Sequence, residues 1–555
     1  MPKKVMFVLP DVRPELYYHT GSVFEGVAYM SAFLKQKGHS VTKFQPTTPV
    51  PAEPLLQAIE REKPDVIAYS AVTNMIKYVE RWAPAVKARF PHVHAICGGV
   101  HATSDGEGTI AIDGLDSICI GEGELALTEL CDRMSDGRDY HDIPSLWFKT
   151  PNGIIRNPTG KLPPTLDDYP FPDLDLFEIE QTFYYKNRFA TMKLSRGCPL
   201  PCTYCCNKMF MDVYPSNYIR YRTPEKSIDY IKTYLAKYPN IDAIAFLDDI
   251  LPMKPEWFRE FARLYKEQVG VPYTSRCLVN VFKNDVAQLL ADSGCYEVTF
   301  GVESGNEQYR LKALKRRQTD ERIIQAFHEC HAFGMTTRAN MMVGLPHETM
   351  SQILSGIALC SKLKTRFILV STFFPTPATE LYDVCIKDGL IDKDSEIPDS
   401  PYNMGTALKQ ASVRPEQVEF ARANYTTLVR LYSLVPQEYH ARLSWLLEQD
   451  WFPYRTGIAL QRVAGFLNKQ WTLAKLKLKM RHARYTPKKL KVQPISPAAE
   501  TQPPGPREGH AEPKTWQPAA ASTTEAPLAT ELIPLVVRRQ QDAAQLSEPL
   551  NLMRE

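Results

Sequence analysis

Four of the twelve cysteines in this 555-residue chain crowd into one stretch, Ser195-Arg196-Gly197-Cys198-Pro199-Leu200-Pro201-Cys202-Thr203-Tyr204-Cys205-Cys206. The first three have C-x3-C-x2-C spacing on a turn bounded by Gly197, Pro199 and Pro201, just after the short strand pattern Ala190-Thr191-Met192-Lys193-Leu194. Three thiolates on so compact a loop can each take one corner of an iron–sulfur cubane. The fourth iron is then left without a protein ligand and open to a small molecule, as a catalytic zinc keeps one position open. The competing reading is a zinc site with Cys206 as the fourth ligand. Zinc ribbons draw a second Cys or His pair from elsewhere, and none with that spacing lies nearby.

The elements that must position this loop read as α/β throughout. The length calls for more than one domain, and 44% hydrophobic residues are enough for sizeable cores. Lys+Arg 66 against Asp+Glu 63 leaves a formal charge of +3, too small a field to point to nucleic acid. Cysteines this sparse outside one loop fit a reducing compartment with metal use better than a disulfide framework. The N-terminus runs straight into a strand without a signal-peptide apolar core, and no apolar run reaches a bilayer-spanning length. A cytoplasmic protein is expected, at most peripheral at the inner membrane face.

Strands at Val5–Leu9, Ser40–Phe44, Asp65–Ser70, His94–Gly98 and Ser117–Ile120 alternate with helical patterns over Gly26–Lys37, around Leu55–Ile59 and over Tyr78–Arg89. That alternation predicts a parallel, doubly wound sheet with its loops gathered at the carboxyl ends of the strands. Two of those loops, Gly98-Gly99-Val100-His101 and Gly121-Glu122-Gly123-Glu124, offer bare backbone to a flat ligand. Past the cysteine loop, strand patterns recur at Ile244–Asp249, Tyr273–Arg276, Val298–Gly305, Asn340–Gly344 and Ile368–Phe374, with polar or glycine residues where each ends. The expected segments are a Rossmann-like domain at 1–144, a proline- and aromatic-rich linker at 145–184, a barrel-like run of strands and helices at 185–390, a helical region at 391–492 and a disordered tail at 493–555. Leu460, Val463, Leu467, Trp471, Ala474 and Leu478 keep helical spacing among Lys469, Lys475, Lys477, Lys479 and Arg481. This is either a helix docked on the barrel or an interfacial helix contacting anionic lipid over 460–491.

With the aromatic at Tyr204 just before the third cysteine, the loop resembles the radical S-adenosylmethionine (SAM) superfamily, and the resemblance implies a partial (β/α)6 barrel over 185–390. The glycine loops ahead of it are similar to the cobalamin-binding domain of its class B members. The resemblance implies a [4Fe-4S] cluster on Cys198, Cys202 and Cys205, its unique iron chelated by S-adenosyl-L-methionine, which one electron cleaves to a 5'-deoxyadenosyl radical. It implies an acid at Asp248 or Asp249 for the methionyl ammonium and Arg276 for the carboxylate. Glu303 and Ser304 are implied for the ribose or methionyl end, and Gly344 for close approach to adenine. Cobalamin would lie against Gly98, Gly99, Gly121, Glu122 and Gly123, with His101 either touching it or packed in the core. Two departures stand out. The D-x-H-x-x-G motif that gives cobalt a histidine is absent, Asp11 and His19 being too far apart to replace it, and Ala378 occupies the usual glycine of the sixth-strand turn.

The implied activity is methylation of an unactivated carbon of a small-molecule or lipid substrate, with an electron donor such as flavodoxin or ferredoxin. Ring formation or rearrangement on a lipid or tetrapyrrole is the enzymatic alternative. A non-catalytic cluster- and cobalamin-binding protein is the alternative of another class.

Overall fold

The computed structural model describes residues 1–12, 21–392 and 405–459. The expectations for the stripe at 460–491 and the tail from 493 lie outside those residues, as does His19. The described residues form one compact unit built on two sheets.

The first sheet carries β1 (Lys4–Val8), β2 (Ser40–Phe44), β3 (Val66–Ser70), β4 (His94–Gly98), β5 (Ser117–Cys119), β6 (Leu146–Thr150) and β7 (Gly153–Arg156), ordered β2-β1-β3-β4-β5-β6-β7. Neighbours from β2 through β5 pair parallel, while β6 and β7 pair antiparallel. Alternation along β1 feeds two cores. Val5, Phe7 and Leu9 face one side, where Val27, Leu34, Leu127 and Leu130 pack; Met6 and Val8 face the other, with Ile59, Val79 and Trp82. The order reverses at β1, which opens a crevice at the carboxyl end of the sheet. This sheet runs on to Arg156, past the boundary at 144 read from the sequence. Leu146-Trp147-Phe148 alternates about a core, and Pro151-Asn152 forms the hairpin turn between the paired Thr150 and Gly153.

The second sheet orders β15 (Phe367–Thr372), β14 (Thr336–Val343), β13 (Cys295–Glu303), β12 (Tyr273–Cys277), β11 (Ala243–Phe246) and β8 (Phe189–Met192), all parallel, with helices between successive strands. It is the expected half-barrel. Its inner strands are coated by aromatic-rich helices such as Pro255–Gln268, where Trp257, Phe258, Phe261 and Tyr265 are buried. The short ribbon of β9 (Ser195–Arg196) and β10 (Arg220–Tyr221) stands apart.

One continuous apolar core joins the first sheet to the half-barrel, and Phe177 and Ile179 of the intervening segment are buried in it. Asp173 of that segment accepts from Ser31 Oγ (2.5 Å) and pairs with Lys35 (2.6 Å). At the far edge, helix Pro415–Leu434 packs on helix Met350–Lys362 and on β15, covering an otherwise open sheet edge.

Candidate active site

The cysteine loop leaves β8 through Leu194 and β9. Gly197 sits at φ +90°, and a Cβ there would lie 2.8 Å from the Tyr218 carbonyl oxygen, so only glycine lets the chain turn into Cys198. Cys198 is buried against Ile250 and Leu278, and that burial pushes its thiol up to about 12. Burial raises Cys202 as well. Cys205 precedes helix Cys206–Val213 and is half-buried; a hydrogen bond from the Cys206 thiol draws it down to about 7 and drives Cys206 upward. Among the described residues, no three His, Cys, Asp or Glu side chains converge as they would around a single metal ion. A cubane makes a different demand, since each thiolate takes its own iron.

A cation absent from the sequence reading meets this loop. Arg316 donates from one nitrogen to Cys202 Sγ (3.5 Å) and Tyr204 Oη (3.0 Å), and from another to the Gly301 carbonyl (2.7 Å). It lies in the run Lys315-Arg316-Arg317, which has the look of solvated surface, yet its side chain is buried. Glu303 stands close by. Burial raises its carboxyl, against the pull of Arg316 and a hydrogen bond from Tyr204. Its backbone is left-handed at φ +69°, beside a break in the β13–β14 register between Gly301 and Glu303. A side chain forced into that conformation at a strand end is a common mark of a functional position.

The paired acids after β11 part company. Asp248 is wholly buried, and one of its oxygens accepts from the Leu194 (3.0 Å) and Ser195 (2.7 Å) amides and the Ser195 hydroxyl. That oxygen ties down the entry to the cysteine loop, while the other, Oδ2, is buried without a hydrogen-bond partner. Asp249 faces the site, where Asn207 Nδ2 donates to it (3.3 Å) and also lies 3.6 Å from Cys205 Sγ. Arg276 is exposed and donates to the Leu247 carbonyl (3.2 Å). The buried Ser304 accepts from the Asn306 amide (3.3 Å), and its carbonyl accepts from Arg310 (2.7 Å). Gly344, at φ +74°, is held with Leu345 by the buried Glu348 carboxyl (2.7 and 3.1 Å); burial lifts that carboxyl to about 8.

A cavity of about 580 Å³ opens at the carboxyl ends of the first sheet. Gly98, Gly99, Gly121, Glu122 and Gly123 line it from the sheet side; Lys193, Arg196, Gly197, Cys206, Asn207 and Asp249 close it from the cysteine-loop side. Gly121 is obligatory for the loop itself, since its φ is +83° and a Cβ would lie 1.9 Å from the Tyr214 hydroxyl. His101 is not brought to this wall. It is buried beside Thr73 (Nδ1–Oγ1 3.3 Å), and burial lowers its basicity. Glu25, unremarked in the sequence, also lines the cavity, accepting from the Lys193 amide (3.1 Å) with its carboxyl raised by burial to about 7.

Residues 25–131 match the family model of the B12 binding domain, and residues 192–359 match that of the radical SAM superfamily. The chain thus carries in order the two domains that make up the cobalamin-dependent radical SAM enzymes. Its cofactors are a [4Fe-4S] cluster, S-adenosylmethionine and cobalamin. An uncharacterized methyltransferase of Pyrococcus horikoshii is 26% identical over 394 residues, covering 70% of this chain and 84% of the relative. The anaerobic magnesium-protoporphyrin IX monomethyl ester cyclase of Rubrivivax gelatinosus is 25% identical over 443 residues, 76% of either chain. In fold, this radical SAM enzyme resembles the methyltransferase TsrM of Kitasatospora setae with cobalamin and [4Fe-4S] cluster bound, at a TM-score of 0.58 and 16% identity over 84% of this chain and 99% of that one.

The donor set of this enzyme fits those groups. Three thiols on one loop have a buried guanidinium as counter-charge, and the cavity presents glycine backbone where a flat macrocycle would rest.

Proposed function

We propose that the protein is a C-methyltransferase acting on an unactivated carbon of a small-molecule or lipid substrate. One observation carries this reading: the cavity is walled by the cobalamin-domain glycine loops on one side and by the cysteine loop on the other. When bound, the cluster with SAM supplies a radical that removes a hydrogen atom, and cobalamin supplies the methyl group.

In this reading Cys198, Cys202 and Cys205 hold the cluster, and the Arg316 cation balances the charge gathered at Cys202. Asp249, which lines the cavity beside Asn207, is the acid assigned to the methionyl ammonium, while Asp248 Oδ1 holds the Leu194 and Ser195 amides. Glu303, Ser304 and Gly344 are assigned to the rest of SAM, and Arg276, exposed on β12, to its carboxylate. Gly98, Gly99 and Gly121–Gly123 support cobalamin, and His101 is left to the core. Each SAM cleavage consumes one electron, so a flavodoxin or ferredoxin is the fitting class of partner. Among the described residues no helix is long and apolar enough to cross a membrane. Leu434, Trp445 and Trp451 are nonetheless 82%, 60% and 66% exposed just ahead of the basic stripe at 460–491, which supports peripheral contact with anionic lipid.

The relative named as a cyclase favours ring formation as the second reading. Mass spectrometry of cells with and without the gene separates the two. A metabolite gaining one methylene is expected; a product with the same carbon count and fewer hydrogens would move the assignment to ring formation.

A further inference from the structure

The two walls of the cavity are tied together by a buried ionic network. Arg196, the residue just before Gly197-Cys198, donates to Glu122 Oε2 (2.7 Å) and, through its other terminal nitrogen, to Glu124 Oε1 (2.6 Å). Both acids flank Gly123, in the loop that forms the opposite wall. Arg220, paired with Arg196 across the β9–β10 ribbon, donates to the second oxygen of Glu122. The Glu122 amide is held by the Tyr214 hydroxyl (2.7 Å). The Arg196 guanidinium lies 4.9 and 5.4 Å from the ring centres of Tyr29 and Tyr169, which meet edge to face beside it. Side-chain exposure is 18% for Arg196, 15% for Glu122, 3% for Glu124 and none for Arg220.

Buried ion pairs add little net stability over apolar packing of the same volume, because desolvation offsets most of the attraction. What a planar guanidinium bound to two separate carboxylates does supply is orientation, since its nitrogens are fixed in one plane. Here the orientation fixed is that of the cysteine loop relative to the cobalamin-domain loop.

We propose that Arg196 is a positioning residue whose bridge to Glu122 and Glu124 sets the spacing between the iron–sulfur cluster and cobalamin. The inference rests on the shared-cavity reading above. Breaking the bridge loosens the two cofactors from one another without expelling either.

The test uses the holoenzyme, reconstituted anaerobically with iron, sulfide and cobalamin. The microwave-power saturation of the cob(II)alamin EPR signal is measured with the cluster oxidised and then reduced. In the wild type, cluster reduction is expected to make the cobalt signal harder to saturate, through magnetic coupling between neighbouring centres. In R196Q, iron and cobalamin contents are expected to hold while that coupling falls several-fold; R196K, which keeps the charge but reaches only one acid, should fall by less. Wild-type coupling in a fully loaded R196Q would overturn the proposal. So would loss of cluster or cobalamin from R196K, which would make the arginine a holding group. Should R196Q fail to fold, E124Q keeps a hydrogen-bond acceptor without the charge and is expected to show the same uncoupling with both cofactors bound; wild-type coupling there counts against the bridge. An uncoupled wild type carrying both cofactors would remove the shared-cavity reading, and this inference with it.

Discussion

At the scale of single residues, the chemistry-bearing loop was legible because its signal is local: three cysteines, a glycine and two prolines at fixed spacing. Replacing Cys198, Cys202 or Cys205 by Ala is expected to abolish the iron–sulfur absorbance and SAM cleavage, whereas Cys206→Ala should retain both; the visible spectrum after anaerobic reconstitution decides. Arg316 escaped notice because burial is not written into a Lys-Arg-Arg run; only the fold carries it beside Cys202. The direction of Asp248 and Asp249 was equally hidden, since adjacent residues point apart and nothing local says which one faces the site. Glu348 gives a titratable prediction. Burial raises its carboxyl from 4.5 to about 8, so the folded chain keeps a proton the unfolded chain has released. Stability therefore falls as pH rises from about 4.5 to about 8 and levels off above that. Glu348→Gln keeps an acceptor for the Gly344 and Leu345 amides but cannot ionise. It is expected to flatten that slope, gaining about 1–3 kcal/mol at pH 8 relative to pH 5 in denaturant titrations.

At the scale of elements, strand–helix alternation gave away the parallel strands of both sheets, because short apolar-rich strands recur between amphipathic helical patterns. The antiparallel pair β6–β7 was lost in a segment whose prolines read as linker. Its Pro151-Asn152 turn is short, and antiparallel addition of β6 to β5 at a doubly wound edge leaves no periodic signature. The sixth-strand turn shows the opposite case, in which a sequence departure has a structural consequence. Ala378 stands where the resemblance calls for glycine, and its φ is +58°. A Cβ in the left-handed region costs about 1 kcal/mol, so Ala378→Gly is expected to stabilise the protein by about 0.5–1 kcal/mol, less the entropy glycine adds to the unfolded chain. Thermal unfolding of the variant would read this, and a destabilisation would mean that the turn is not held in that conformation.

At the scale of the whole molecule, one core continuous from the first sheet through the half-barrel brings the glycine loops and the cysteine loop to a single cavity, an adjacency no motif in either half encodes. The proposed peripheral contact with lipid is tested at this scale too. Flotation with anionic liposomes at low salt is expected to carry the full chain upward, and high salt to release it, each basic residue at the surface contributing about 1 kcal/mol. Protein left at the bottom of the gradient at low salt would count against it. The most direct test of the central claim is an anaerobic assay of the reconstituted protein with SAM and a low-potential reductant, reading 5'-deoxyadenosine and S-adenosylhomocysteine together. 5'-Deoxyadenosine is expected whenever the cluster is loaded, and S-adenosylhomocysteine only when cobalamin is also bound. A fully loaded protein that makes no 5'-deoxyadenosine, or one that makes S-adenosylhomocysteine equally well without cobalamin, would contradict it.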